Sequence, residues 1–386
     1  MASDAARSGS AGSGGAPDPG SVGSSGAGSG EAPLGGAAVE PPPSGPTPLD
    51  PEARPLVAAL TAFFPDIGGT VTDAAEARRI LAAAPAPPFP PPQVGAVSDR
   101  LIPGPPGAPD LHVRCYLPAR TPARGATGAA PEPRPTVVFF HGGGWSLCSV
   151  DTHDATARGL CRAAGAAVVS VDYRLAPEDP FPAAVDDAYA AVLWAAAHRG
   201  ELGGEGGPLV VAGDSSGGNL AAVSALTARD QDGPPLALQV LIYPSLDGRD
   251  RSGSDDSTEY GSSFLTVVHG RWFREQYLGA YLRAGGDPTD ARVSPLLAPD
   301  LTGLPPAVVV TAGHDPLCAE GRAYAARLRD AAVPVTEGHF PAMFHGFFGF
   351  PALLADARAA QETVREAIVS TVGGRKNSGK AGGRAG

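Results

Sequence analysis

The sequence predicts an α/β protein, a mostly parallel sheet with helices on both faces. Short apolar runs of strand length recur along the chain, and apolar helix-length segments separate most of them. One of those runs feeds through a glycine-bounded turn directly into a helix. The 386 residues are 43% hydrophobic, enough for one large core or two ordinary domains.

Residues 1–49 are mostly Gly, Ser, Ala and Pro, a composition that buries too little apolar surface to offset the entropy of ordering, so a disordered tail is expected. Asp50 and Pro51 sit as cap and first position of a helix through Leu56–Leu60. Asp73 with Glu76 forms a capping-box pattern ahead of Ile80 and Leu81. A proline run follows from Pro85 to Pro92. Strands are then expected at Thr136–Phe140, Ala166–Asp172, Leu209–Ala212, Leu238–Tyr243, Ala307–Thr311 and Val335–Phe340. The helices between them are Pro182–His198, Asn219–Ala228 and Cys318–Ala332. Residues 246–301 break this rhythm with a charged loop, a helix around Arg271–Leu282 and a Pro-rich return, and they read as an insertion. With the two early helices (about 50–92), that insertion could cover the carboxyl ends of the strands, where open α/β sheets bind ligands. From Gly373 the chain is Gly-rich again, with Arg375, Lys376, Lys380 and Arg384 and no acid, and a basic flexible tail (373–386) is expected.

Gly213-Asp214-Ser215-Ser216-Gly217 fits a nucleophile elbow. In a chain with 52 glycines the five letters prove little by themselves; the strand before them and the helix after them give the order that the motif requires. His141-Gly142-Gly143-Gly144-Trp145 follows another strand, and its side-chain-free residues let backbone N–H groups face a substrate oxygen. Gly143, Gly144 and the N–H of Ser216 are the candidate oxyanion donors. His141 and Gly142 are read as structural support of that loop, and Trp145 as either core or pocket wall. A phosphate-binding loop is disfavoured, because no GKS/GKT ending and no GxGxxG are present.

A serine hydroxyl needs a base, and the base needs a carboxylate to orient it. His345, past the last expected strand and among aromatics, is the best base. Asp315, where a strand ends and a helix begins, is the candidate acid, with helix capping as its ordinary alternative. Ser215, Asp315 and His345 occur in the serine, acid, histidine order of α/β-hydrolases.

From about Asp50 to Val372 the chain resembles the bacterial hormone-sensitive-lipase-like carboxylesterases of the α/β-hydrolase superfamily. The resemblance rests on His141–Trp145, Val171-Asp172-Tyr173-Arg174-Leu175-Ala176-Pro177-Glu178, Gly213–Gly218, Asp315-Pro316-Leu317 and His345-Gly346-Phe347. It implies an α/β-hydrolase fold, esterase activity on short to medium acyl esters, no cofactor, and a helical cap from the amino-terminal region and an insertion after the sixth core strand. Two departures stand out. Ser216 takes the place of the usual Ala, and Phe340–Phe344 replaces the usual small-residue turn. Arg174 is expected to pair with a carboxylate in a structural role, which makes Asp172 a poor second candidate for the acid.

The expected function is therefore a serine ester hydrolase working through an acyl-enzyme. An amide hydrolase or deacetylase of a small metabolite is the alternative, and a non-catalytic small-molecule binder is a third reading. A net charge of -11 argues against nucleic acid as a partner. No apolar run is long enough to predict stable membrane insertion. Cys115, Cys148, Cys161 and Cys318 form no CxxC pair, so no metal is expected and free thiols in the cytoplasm are. The partner is a small ester; the oligomeric state is open, a homodimer included.

Overall fold

A computed structural model describes residues 47–85, 89–119, 133–204, 206–250 and 263–378, all within one compact unit. The expected amino-terminal tail lies outside the described residues up to position 46, as do residues 379–386 of the carboxyl tail and 251–262 of the charged loop.

Eight strands form one sheet: β1 (Ala96–Ile102), β2 (Leu111–Leu117), β3 (Thr136–Phe140), β4 (Ala167–Asp172), β5 (Leu209–Asp214), β6 (Leu238–Ile242), β7 (Ala307–His314) and β8 (Val335–Phe344). Their order is β1-β2-β4-β3-β5-β6-β7-β8. The first two pairings are antiparallel and the rest parallel. β1 and β2 have no counterpart among the expected strands. β1 is mostly exposed, so it carries no apolar run to announce it. The central strands do carry one, because helices bury them on both faces.

The eight helices among the described residues are α1 (Ala53–Phe63), α2 (Ala74–Ala82), α3 (Asp154–Ala164), α4 (Ala183–Ala197), α5 (Ser216–Asp230), α6 (Val267–Arg283), α7 (Cys318–Asp330) and α8 (Ala355–Ser378). Alternation along the strands splits the core in two. Val138, Phe140, Val211 and Val309 pack with α4, α5 and α7 on one face. Val137, Phe139, Val210 and Val308 pack with α1, α3 and α8 on the other. A third cluster joins Ala74 and Ala77 of α2, Trp272 and Phe273 of α6, and Leu147 of the loop after β3.

Several boundaries differ from expectation. α1 starts at Ala53 because Asp50 and Pro51 form a turn ahead of it, closed by the Ala53 N–H on Asp50 O at 3.0 Å. Thr47–Asp50 are docked: His314 Nε2 donates to Thr47 O, and Asp50 N donates to Ala342 O, both at 3.0 Å. Leu49 supplies the apolar contact that holds this entry segment. β8 continues through Phe344 because its ladder with β7 resumes after a register shift between Ala312 and His314. Pro341 within it is tolerated because β8 is the sheet edge. α8 runs to Ser378, past the expected start of the tail.

Candidate active site

Ser215 follows β5 directly and caps α5, and the structure stores strain there. Its backbone sits at φ 56°, ψ -119°, a sparsely populated conformation for a residue with a side chain. Neighbouring elements hold it in place: its N–H donates to Ile242 O at 2.9 Å, and its carbonyl accepts from Ser245 N at 3.1 Å. Gly217 is required across the turn, since a Cβ there would collide with Phe140 O.

His345 follows β8 directly, and its two ring nitrogens face two predicted partners. Nδ1 lies 2.7 Å from Asp315 Oδ2 and Nε2 lies 3.0 Å from Ser215 Oγ. An ionised carboxylate only accepts, so Nδ1 carries the hydrogen and Nε2 is left to accept the serine hydroxyl. The Asp315 side chain is fully buried, and its Oδ1 accepts the Leu317 N–H at 2.8 Å, which fixes the carboxylate where β7 gives way to α7. The register shift between β7 and β8 lies immediately before Asp315. Tyr243 was not foreseen as part of the site; its ring packs 4.7 Å from that of His345.

The loop after β3 runs beside Ser215. Gly143 and Gly144 adopt φ 117° and 59°, and among the described residues neither N–H has a partner. Ser216 opens α5, so its N–H has no intrahelical acceptor and stands at the positive end of the helix. His141 is completely buried; Nδ1 donates to Gly142 O at 2.7 Å and the ring stacks on Tyr173 at 4.3 Å. The Tyr173 hydroxyl donates to His141 O at 2.8 Å. Trp145 lines the cavity above Ser215 and stacks on buried Tyr277 at 4.3 Å.

The cavity over Ser215 measures about 180 Å³. α6 contributes Val267, Gly270, Arg271, Phe273, Arg274, Tyr277 and Leu278, a single face at helical spacing. Phe264 and Trp272, two large aromatics of the insertion, do not line it. Phe264 meets Phe64 edge-on at 5.1 Å and the Trp272 indole donates to Thr72 O at 3.0 Å, so both join the insertion to the amino-terminal helices. Trp272 is one position out of phase with the lining face. Tyr260 lies outside the described residues.

Arg78 of α2 was also missed. It reaches Ser146 O (2.8 Å), Ala176 O (2.7 Å) and both oxygens of Glu178 (2.9 and 2.8 Å), tying α2 to the loops after β3 and β4. An arginine on an amphipathic helix, here beside Arg79, carries no local signal for such a reach. The expected carboxylate partner of Arg174 is Asp187, fully buried and 2.7 Å from Nη2. Asp172 faces His112 at 3.2 Å instead of the His345 imidazole. Among the described residues no group of His, Cys, Asp and Glu is arranged to hold a metal ion, and no helix is long and apolar enough to cross a membrane.

A family model described as an alpha/beta hydrolase fold matches residues 137–349. The carboxylic ester hydrolase LipN of Mycobacterium tuberculosis is 42% identical over 306 residues, covering 78% of this chain and 77% of its own length. The carboxylesterase NlhH of the same species is 41% identical over 326 residues, covering 83% and 96%. Among solved structures, the hyperthermophilic esterase of the archaeon Pyrobaculum calidifontis superposes with a TM-score of 0.69 at 36% identity, over 84% of this chain and 99% of that one. With its eight-stranded sheet, its elbow serine and these relatives, the chain belongs to the α/β-hydrolase fold family, in the hormone-sensitive-lipase-like branch.

Proposed function

We propose that the protein is a serine hydrolase of small carboxylic esters, with Ser215 as nucleophile, His345 as general base and acid, and Asp315 as its orienting carboxylate. The single observation that carries this reading is the His345 ring spanning Ser215 Oγ and Asp315 Oδ2 at 3.0 and 2.7 Å. Ser215 Oγ attacks the ester carbonyl carbon while its proton passes to His345 Nε2. The resulting oxyanion accepts hydrogen bonds from the N–H groups of Gly143, Gly144 and Ser216. Collapse breaks the bond to the alkoxy oxygen, which takes the proton from His345 and departs as the alcohol. Water then attacks the acyl-enzyme, gives its proton to His345, and the carboxylic acid leaves as Ser215 is restored. Asp315 stabilises the imidazolium in both halves.

α1, α2 and the 246–301 insertion act as the cap in this reading. The ester and carboxylester names of the relatives favour esters over amides, and the four free cysteines suit a reducing compartment such as the cytoplasm. The test is hydrolysis of short-chain aryl esters beside matched anilides. Ester turnover is expected to exceed amide turnover and to drop by about 10⁴-fold or more in Ser215→Ala. Retention of turnover in that variant would rule out the assignment.

A further inference from the structure

Asp214, the residue just before the nucleophile, plays no part in the steps above, yet it is buried beside them. Its backbone ends β5, and its carboxylate turns across to the loop that follows β3, the adjacent strand. Oδ1 accepts the Gly142 N–H at 3.0 Å. Oδ2 lies 3.3 Å from Nε2 of His153, the residue that starts α3, so the imidazole N–H donates to it. The other face of His153 is held in turn, with Nδ1 2.9 Å from Thr152 Oγ1. Burial works to raise the Asp214 pKa, but the charge and hydrogen bond of His153 outweigh it and hold the carboxyl below its ordinary value, as an acceptor in the stronger, ionised form.

The position of this bridge is what gives it a task. Gly142 immediately precedes the two glycines whose N–H groups face the reacting oxygen, whereas Asp214 is covalently joined to Ser215. One carboxylate therefore links the donor loop on one strand end to the nucleophile on the next. Resting on the ester-hydrolase reading, we infer that Asp214, braced by His153, is a positioning residue for ester hydrolysis: it keeps the Gly143 and Gly144 donors in register with Ser215. The oxyanion exists only in the transition state, so loosening this tie acts on kcat and leaves KM little changed.

The experiment compares wild type, Ser215→Ala, Asp214→Ala, Asp214→Asn, His153→Ala and His153→Gln. The readouts are steady-state hydrolysis of a short-chain aryl ester and amide hydrogen exchange of the 141–148 segment. Asp214→Ala is expected to lose about 100-fold in kcat, the scale of a displaced or missing oxyanion donor, with KM shifted by less than about threefold. Exchange in 141–148 should accelerate in the same variant. Asp214→Asn, whose Oδ1 still accepts the Gly142 N–H, should recover most of both losses. His153→Gln, whose side-chain amide still donates, should likewise outperform His153→Ala. Equal kcat losses in Asp214→Ala and Asp214→Asn would overturn the inference, as would a change confined to KM or unchanged exchange in the loop. Should Asp214→Ala fail to fold, the His153 pair decides: no difference between Ala and Gln overturns the proposal and rescue by Gln supports it. Absence of ester turnover in wild type would sink the parent reading instead, while the exchange measurements still judge the tie itself.

Discussion

His141 stands completely buried before the three glycines of the donor loop, its ring against Tyr173 and its Nε2 without a partner among the described residues. Burial first, and then the nearby His153 charge, pushes its pKa down from 6.5 to about 3, so the ring is neutral throughout the working range. The unfolded chain takes up a proton near 6.5 that the folded chain refuses until about 3. This contribution to stability is thus whole above 6.5 and lost as pH falls toward 3. Thermal unfolding should show Tm dropping from pH 7 to pH 4 in wild type, with a shallower slope in His141→Asn. Parallel slopes would mean that the ring is not held neutral. Ser215 illustrates the complementary rule at the same scale: its unfavourable φ persists because β6 and the loop after it bond its backbone on both sides.

Among the elements, α2 is tied to distant loops by a single side chain, Arg78. It is nine residues long, too short to persist in water without tertiary support, although Asp73 caps it through the Glu76 N–H at 2.7 Å. Arg78 supplies that support by bonding two loop carbonyls and the Glu178 carboxylate together. Arg78→Ala should cost about 2 kcal/mol, kept low because Glu178 is half exposed. Urea titration measures that loss, and limited proteolysis should show new cleavage within 74–82. Arg78→Lys should rescue little, since one ammonium cannot match a planar fork that meets three acceptor groups. If the lysine variant were as stable as wild type, the fork geometry would be irrelevant. β8 makes the corresponding point for strands. Its outer part, Pro341–Phe344, extends beyond the expected end and delivers His345 to the site, because the shifted pairing with β7 realigns both strand ends.

For the molecule as a whole, the sheet is packed on both faces, and a separate apolar cluster is shared by α2, α6 and the donor loop. The cavity of about 180 Å³ suits a short acyl chain and a small alcohol. Across p-nitrophenyl esters, kcat/KM is expected to peak at acyl chains of about two to six carbons and fall at twelve, by the same volume argument. A maximum at the longest chain would contradict it.

How far the sequence reached follows from which interactions are local. The central strands were legible because burial on both faces forces continuous apolar runs, and α4, α5 and α7 because they bury their own stripes. The elbow and the glycine loop were legible because steric demands on a tight turn are written into neighbouring residues. Ser215, Asp315 and His345 could be named from their order and their strand-end positions. Tertiary structure alone decided that Nδ1 and Nε2 of one imidazole meet two partners distant in the chain. It alone decided that Asp214 reaches Gly142, that Arg78 spans three segments, and that Phe273 and Tyr277, not Trp272, face the cavity. The physical reason is that composition and periodicity record whether a side chain is buried and on which stripe. Hydrogen bonds between distant segments depend on register and rotation, which are fixed only when the layers pack.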